Sequence, residues 1–519
     1  MRLLGLLFAA SLLANDAYPP ARFTDPARAQ KLRAALPQID KLFLQYAAEE
    51  KIPGMVWGVV IDGELAHTGA SGFQSLSTKA PADSSTVFRI ASMTKSFTAL
   101  AILKLRDEGK LSLEDPVSKW IPAFARMEMP TRDTAPIRIR QLMSHSAGLP
   151  EDNPWGDQQL GIDDPTLDRW LRAGLPFSTA PDTRYEYSNY AFGLLGRIVT
   201  KAARQPYEKY VAENILVPLG MAASTFEFSR VPAATRATGY RLTPAGAYEE
   251  EPPLPHGAFG AMGGLLTNAA DLGKYVALHL NAWPPRDDTD HGPVRRSSLR
   301  EMSHLWTPSN LTASRGRASH SGYGYGLRIT ADCRFAHIVG HGGGLPGFGS
   351  YMAWLPEHGV GLFAMATLTY SGPSKPIQAA FDLLSQSGGL QKRETPPSKP
   401  LSEMGAHLAS LWNKWDDAEA NQVAAMNLFL DAPIPQRRAQ IDALKRVAGQ
   451  CAAAGPVVAE NWLRGQFNIP CANATVGVFF TLAPTRPPLV QHVEFRRLEP
   501  SAKRMGAPTG PPAGVACEQ

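Results

Sequence analysis

The chain has 519 residues, 44% of them hydrophobic and 19% charged, and a formal net charge of +5. That length allows two or three domains with a large core, and the mild charge, with no Lys/Arg run and no aromatic-interleaved basic patch, argues against a nucleic-acid partner. Neither H-E-x-x-H nor its inverse occurs, and no Cys/His spacing matches a zinc site, so no metal ligands are expected.

The first stretch, "MRLLGLLFAASLLANDA" (1–17), carries one positive charge, an apolar run from Leu3 to Ala14 and then small residues. This is the layout of a secretory signal peptide, too short to span a bilayer. Ala17 suits the last position before cleavage, although Asn15 fits poorly two residues earlier. The expectation is an exported protein, periplasmic or secreted. No later stretch reaches about 18 apolar residues, so no transmembrane segment is expected in the mature chain.

From residue 25 to 390 helical and strand-like segments alternate. "GMVWGVVIDGELAHTGASG" (54–72) reads as two strands around an Asp62-Gly63 turn. An apolar helix follows Ile90. "IRIRQLMSHSAGLP" (137–150) predicts a helix ending in a Gly-Pro loop, and "YAFGLLGRIVTKAARQPYEKYVAENIL" (190–216) predicts two helices. Asn268 is placed to cap a helix over "AADLGKYVALHL". Residues 282–300 are polar and proline-rich, a predicted surface insertion. "FAHIVGHGGG" (335–344) and "SYMAWLPEHGVGLFAMATL" (350–368) predict late strands, the second pair turning at His358-Gly359. Early strands, a helical middle and late strands predict a mixed α/β (α+β) domain. Its antiparallel sheet is joined by both ends of the domain, with helices around it and a helical subdomain.

Residues 391–400, "QKRETPPSKP", read as a linker. Residues 401–500 begin with one helical run and continue with three strand-like segments, predicting a small α+β domain of their own. Residues 501–519 have the composition of a disordered tail. Four cysteines are present, Cys333, Cys451, Cys471 and Cys517. Export permits disulfides, and Cys451 and Cys471 fall in one region, but the sequence leaves the connectivity open.

The chemistry starts at "FRIASMTKSFTAL" (88–100). Ser92 and Lys95 stand at i and i+3, one face of a helix. A serine hydroxyl is a weak nucleophile and needs a base. Lysine can serve if burial lowers its pKa, and Met93, Phe97, Leu100 and Leu103 surround it in sequence. The S-x-x-K pattern is weak alone, since roughly one chance match is expected in a chain this long. Two further stretches strengthen it: "YEYSNYAFG" with Tyr187 and Asn189, and "IVGHGGGLPGFGS" with His341, Gly343 and Gly344. No G-x-S-x-G occurs, which removes the nucleophile elbow of α/β-hydrolases.

The order S-x-x-K, Y-x-N, basic residue-x-G resembles the serine β-lactamase and penicillin-binding-protein superfamily, in its class C β-lactamase, D,D-peptidase and esterase branch. "LMSHSAGLP", "PLGMAAST", "AMGGLLTNAADL" and "YGYGLRI" are similar to recurring pieces of that branch, and the resemblance covers residues 25–390. It implies a β-lactamase/transpeptidase-like fold and a catalytic set of Ser92, Lys95 and Tyr187. Ser92 would be acylated, Lys95 would help take its proton, and Tyr187 would share the base work and protonate the leaving group, needing cationic neighbours such as Lys95 to act as phenolate. Asn189 would bond Lys95 and a substrate amide, and the Ser92 and Gly344 N–H groups would form the oxyanion hole. His145 would be a structural loop histidine.

One departure stands out. Many β-lactamases carry K-T-G at the third motif, where the lysine meets a substrate carboxylate, and here the motif is H-G-G. His341 should attract a carboxylate weakly at pH 7 and more strongly toward pH 6 as it gains charge.

The implied activity is an exported serine hydrolase that works through an acyl-enzyme without metal or organic cofactor. Short esters or D-amino-acid peptides and amides, including peptidoglycan stems, are the expected substrates. A class C-like β-lactamase and a penicillin- or muropeptide-binding sensor with little turnover are the alternatives. The C-terminal domain is similar to accessory, cystatin-like α+β domains, with the cell wall or another protein as its expected contact.

Overall fold

Burial along the first long strand shows how the sheet is placed. Every residue of Gly54–Ile61 (β1) is buried, and its apolar side chains are continuous rather than alternating, the mark of a strand covered on both faces. A computed structural model of the chain describes residues 18–153, 155–314 and 317–498. The expected signal peptide and disordered tail therefore lie outside the described residues.

β1 turns through Asp62 and Gly63, both with positive φ (52° and 87°), as a tight Asp-Gly hairpin requires. It returns as Glu64–Ser75 (β2), followed by the short Ala80–Pro81 (β3). The remaining strands of its sheet come late: Thr307–Ser314 (β4), Arg317–Tyr323 (β5), Arg328–Asp332 (β6), Ile338–Leu345 (β7), Phe348–Leu355 (β8) and Val360–Ala366 (β9). They form one nine-stranded sheet in the order β3-β2-β1-β9-β8-β7-β6-β5-β4. All its ladders are antiparallel. The first and last strands meet at β1 and β9, where Val59 faces Leu362.

Two helices cover one face, Leu36–Glu49 (α1) and, late in the domain, Ser374–Gln386. Their contacts centre on Phe43, Trp57, Leu362 and Phe381, with the Phe43 and Trp57 rings stacked at 5.1 Å. Three helices build the other side: Thr94–Asp107 (α2), Asn189–Ala203 (α3) and Ala269–Asn281 (α4). The Asn268 side chain caps α4, accepting from the Asp271 N–H at 3.0 Å. Eleven of the fourteen residues of α2 are buried, which explains a helix that is apolar on nearly every side.

Several expectations need correction. The helix predicted near residue 139 spans only Ile139–Met143. Residues 282–300 are not wholly a surface insertion, because a helix starts at Arg296 and buries Leu299. The β4–β5 hairpin went unpredicted, since "TPSNLTASRGRASHSGY" is short of large apolar residues.

The chain packs as two units, Asp25–Pro285 with Asp290–Lys392, and a smaller one that begins at Arg393 and takes in residues 18–24 and Arg286–Thr289. In the smaller unit Lys399–Asn413 (α5) starts inside the expected linker. The single predicted helical run breaks at Asp416, whose carboxylate caps a new helix by accepting from the Glu419 N–H at 2.9 Å. A second long helix, Ile434–Ala448 (α6), stands where none was predicted. Four antiparallel strands follow: Val458–Asn461 (β10), Arg464–Pro470 (β11), Thr475–Leu482 (β12) and Val490–Leu498 (β13). Cys451 and Cys471 are joined in a disulfide. No helix among the described residues is long and apolar enough to cross a membrane.

Candidate active site

Ser92 lies in a tight turn, Ala91–Met93, that leads into α2. The residue before it, Ala91, has φ +48°, a left-handed conformation that costs an alanine energy and recurs at functional sites. Ser92 itself is half-buried between buried neighbours.

One turn on, the Lys95 side chain is wholly buried. Its Nζ lies 2.9 Å from Ser92 Oγ, 2.6 Å from Asn189 Oδ1 and 2.9 Å from the Met262 carbonyl. The last two can only accept, so they take two N–H groups of the amine. A neutral amine then has its lone pair left for Ser92, the one partner that can donate. Burial brings the Lys95 pKa down to about 7; the carboxylates of Asp157 and Asp152 oppose that shift and Arg328 adds to it. Neutral amine is therefore abundant near pH 7.

Tyr187 closes one side, its ring 4.9 Å from Lys95 Nζ. Burial pushes the phenol up, outweighing its interaction with Ser92 and the field of Arg328. A phenolate would need cationic neighbours; with its ring buried and the nearby amine only partly charged near pH 7, Tyr187 is held as the neutral phenol.

Asn189 begins α3, which Ser188 caps. The Asp152 carboxylate accepts from the Asn189 and Tyr190 N–H groups at 2.7 and 2.8 Å. Asn189 Nδ2 donates to Asn153 Oδ1. Asn189 thus meets Lys95 as expected, while its amide NH₂ is engaged within the protein.

The third stretch runs along β7 beside the Ala91–Met93 turn. A Cβ at Gly343 would fall 2.2 Å from the Ile90 carbonyl oxygen, and one at Gly344 would fall 2.6 Å from the Tyr370 ring. Ser350 on β8 ties the same place together, donating to the Ile90 carbonyl at 2.8 Å.

His341 departs from expectation. Its ring is buried, with Nε2 2.7 Å from Tyr323 Oη and Nδ1 hydrogen-bonded to the Gly342 carbonyl. A carbonyl can only accept, so Nδ1 carries the proton and Nε2 accepts from the phenol. Burial holds the imidazole well below its usual pKa, and Arg328 and Lys95 add to the shift. His341 is therefore held toward its neutral form and is poorly placed to offer a cation to a carboxylate. His145 packs against the Tyr187 and Tyr323 rings at 4.4 Å, and its Nδ1 accepts from the Ser188 N–H at 3.1 Å. It makes no hydrogen bond to Ser92, in keeping with a structural loop histidine.

Sequence reasoning missed the cation that is present. Arg328, on β6, is exposed, and its guanidinium lies 5.7 Å from the centre of the Tyr187 ring. No carboxylate among the described residues lies within ion-pair distance of it. Also missed were Tyr323 and the buried Asp157, whose carboxylate accepts from Tyr370 Oη at 3.0 Å and is pushed up to about 6 by burial. Tyr323 and Arg328 stand in "YGYGLRI", whose pattern assigns them no role; Asp152 and Asn153 sit in a loop and Asp157 in the short helix Trp155–Gln158, with no motif.

The Beta-lactamase family model matches residues 39–387. The chain belongs to the beta-lactamase family. It is thereby a member of a serine hydrolase superfamily whose fold it shares. Protein flp of Staphylococcus aureus (strain N315) is 30% identical over 337 residues, 64% of this chain and 63% of the relative. Beta-lactamase-like protein 2 of Dictyostelium discoideum is 28% identical over 362 residues, 68% of this chain and 63% of that protein. The chain thus spans 63% of the length of these relatives. Among solved structures, the octameric penicillin-binding protein homologue from Pyrococcus abyssi superposes with a TM-score of 0.58 at 23% identity, over 90% of this chain and 91% of that one. That likeness agrees with the beta-lactamase-family sheet and helices described above.

Proposed function

We propose that this protein hydrolyses small esters or D-amino-acid peptides and amides through an acyl-enzyme on Ser92, and that it prefers substrates bearing a carboxylate. The observation that carries the reading is the 2.9 Å contact between Ser92 Oγ and a buried amine whose pKa is about 7. Neutral Lys95 takes the Ser92 proton as Oγ attacks the substrate carbonyl. The developing oxyanion is held by the N–H groups of Ser92 and Gly344. Tyr187, a neutral phenol, donates its proton to the leaving group and regains one from the Lys95 ammonium. Water, giving a proton to the again neutral Lys95, then attacks the acyl carbonyl, and the ammonium returns that proton to Oγ as Ser92 leaves. Export, supported by the layout of residues 1–17, is part of the same proposal.

The carboxylate preference rests on Arg328, whose guanidinium lies beside the Tyr187 ring. A charge-assisted pair there adds about 1–2 kcal/mol in a partly wet site, or roughly 5- to 30-fold in rate. The test is turnover of a p-nitrophenyl ester, a D-Ala-D-Ala peptide and a chromogenic cephalosporin by one preparation, with and without Arg328→Gln. We expect the ester and the peptide to turn over faster than the cephalosporin. Arg328→Gln should lower kcat/KM for the peptide by that factor and leave the neutral ester within about twofold. Faster cephalosporin turnover would indicate a dedicated β-lactamase, and an unchanged peptide rate in the variant would remove Arg328 from substrate binding.

A further inference from the structure

We propose that the C-terminal unit holds a binding site for a free aliphatic carboxylate of the fatty-acid type. The unit encloses a cavity of about 440 Å³ between α5, α6 and β13, within the size range of small-molecule sites. Leu408, Leu411, Phe429, Ile441, Leu444 and Phe495 are among the apolar residues of its wall. Close-packed cores rarely leave a space of this size. Met426 and Leu430, beside Phe429 in the chain, are 89% and 77% exposed, so the apolar surface continues outward.

The polar end is Arg437, which also lines the cavity. Backbone carbonyls hold its guanidinium in place: Nε donates to the Leu428 and Ala432 carbonyls at 3.2 and 3.1 Å, one terminal nitrogen to Leu428 at 2.8 Å, the other to Val493 at 3.4 Å. These bonds use three of the five N–H groups of a guanidinium and leave one on each terminal nitrogen. Two such N–H groups fit the two oxygens of a carboxylate. No carboxylate among the described residues forms an ion pair with Arg437; the field of Asp431 reaches it without one, against a cost of burial. Glu494 pairs across the sheet with Phe479, whereas Val493 and Phe495 pair with Phe480 and Val478. Glu494 also borders the cavity, but by that alternation its side chain belongs to the opposite face from those of Val493 and Phe495. A fixed cation at one end of a greasy cavity selects a chain with one anionic head.

The test uses the full chain. Dansylaminoundecanoate fluorescence reports occupancy, and dodecanoate and dodecanol, both below their aggregation limits, compete for it. Dodecanoate should displace the probe with an affinity about tenfold above that of dodecanol. Ala443→Trp, an exposed position on the rim, should abolish binding while the melting temperature holds. Arg437→Gln should erase the difference between acid and alcohol. Equal affinities in the unmodified chain, binding that survives Ala443→Trp, or preferential binding of phosphatidylglycerol vesicles over free dodecanoate would each overturn the proposal.

Discussion

Replacement of Lys95 by alanine is expected to lower kcat/KM for an activated ester by about two to four orders of magnitude, the range for losing a positioned acid–base group. Two features of the site set that size. The amine lies 2.9 Å from Ser92 Oγ, and the competing base, Tyr187, which also interacts with Ser92, is held as a phenol by burial. The pH dependence has a definite sign. Lys95 must be neutral to accept the proton, and its pKa is about 7. The rate therefore rises with pH through that value, with about a tenth of the amine neutral one unit below it and about nine-tenths one unit above. A kcat/KM profile from pH 5 to 9 checks this. A profile flat across the neutral range, or an alanine variant within about tenfold of the parent, would place the base elsewhere.

Gly343→Val is expected to cost about two to three orders of magnitude in kcat. A Cβ there would lie 2.2 Å from the Ile90 carbonyl oxygen and 2.4 Å from Ser350 Oγ. The first neighbour is backbone and cannot swing aside, so β7 must move away from the Ala91–Met93 turn. That motion separates the Ser92 N–H from the Gly344 N–H, the two donors assigned to the oxyanion. Gly63→Ala serves as the control: it sits at φ +87° with nothing within 4 Å of its Cβ. Its strain should lower stability by about 1 kcal/mol with turnover unchanged. Kinetics and melting curves on the two variants separate the effects. Equal activity losses would mean that general destabilisation, not strand position, governs the site.

The sheet and the Ser92–Lys95–Asn189 contacts were legible because they rest on local pattern: an apolar helix headed by S-x-x-K, a Y-x-N at a helix start, and strands with strong apolar runs. The β4–β5 hairpin was not legible, because an edge pair with small polar side chains lacks the period of a buried strand. Helix α6 was hidden by its proline-rich entry, "APIPQ", which reads as a loop although proline is tolerated in a first helical turn. The pH responses of Tyr187 and His341 were not legible for another reason. Burial and the neighbourhood of Arg328 decide them, and Arg328 lies thirteen residues before His341 on the adjacent strand. His341 pairs with Tyr323, which only the fold brings near.

The most direct test of the account is the site of covalent labelling. The protein is treated with a fluorophosphonate, digested and read by tandem mass spectrometry, with Ser92→Ala in parallel. The account predicts one stoichiometric adduct on the peptide containing Ser92 and none on the variant. Labelling should follow the same pH rise through about 7 as turnover, because both need neutral Lys95. An adduct on another residue, or labelling that persists in Ser92→Ala, would contradict it.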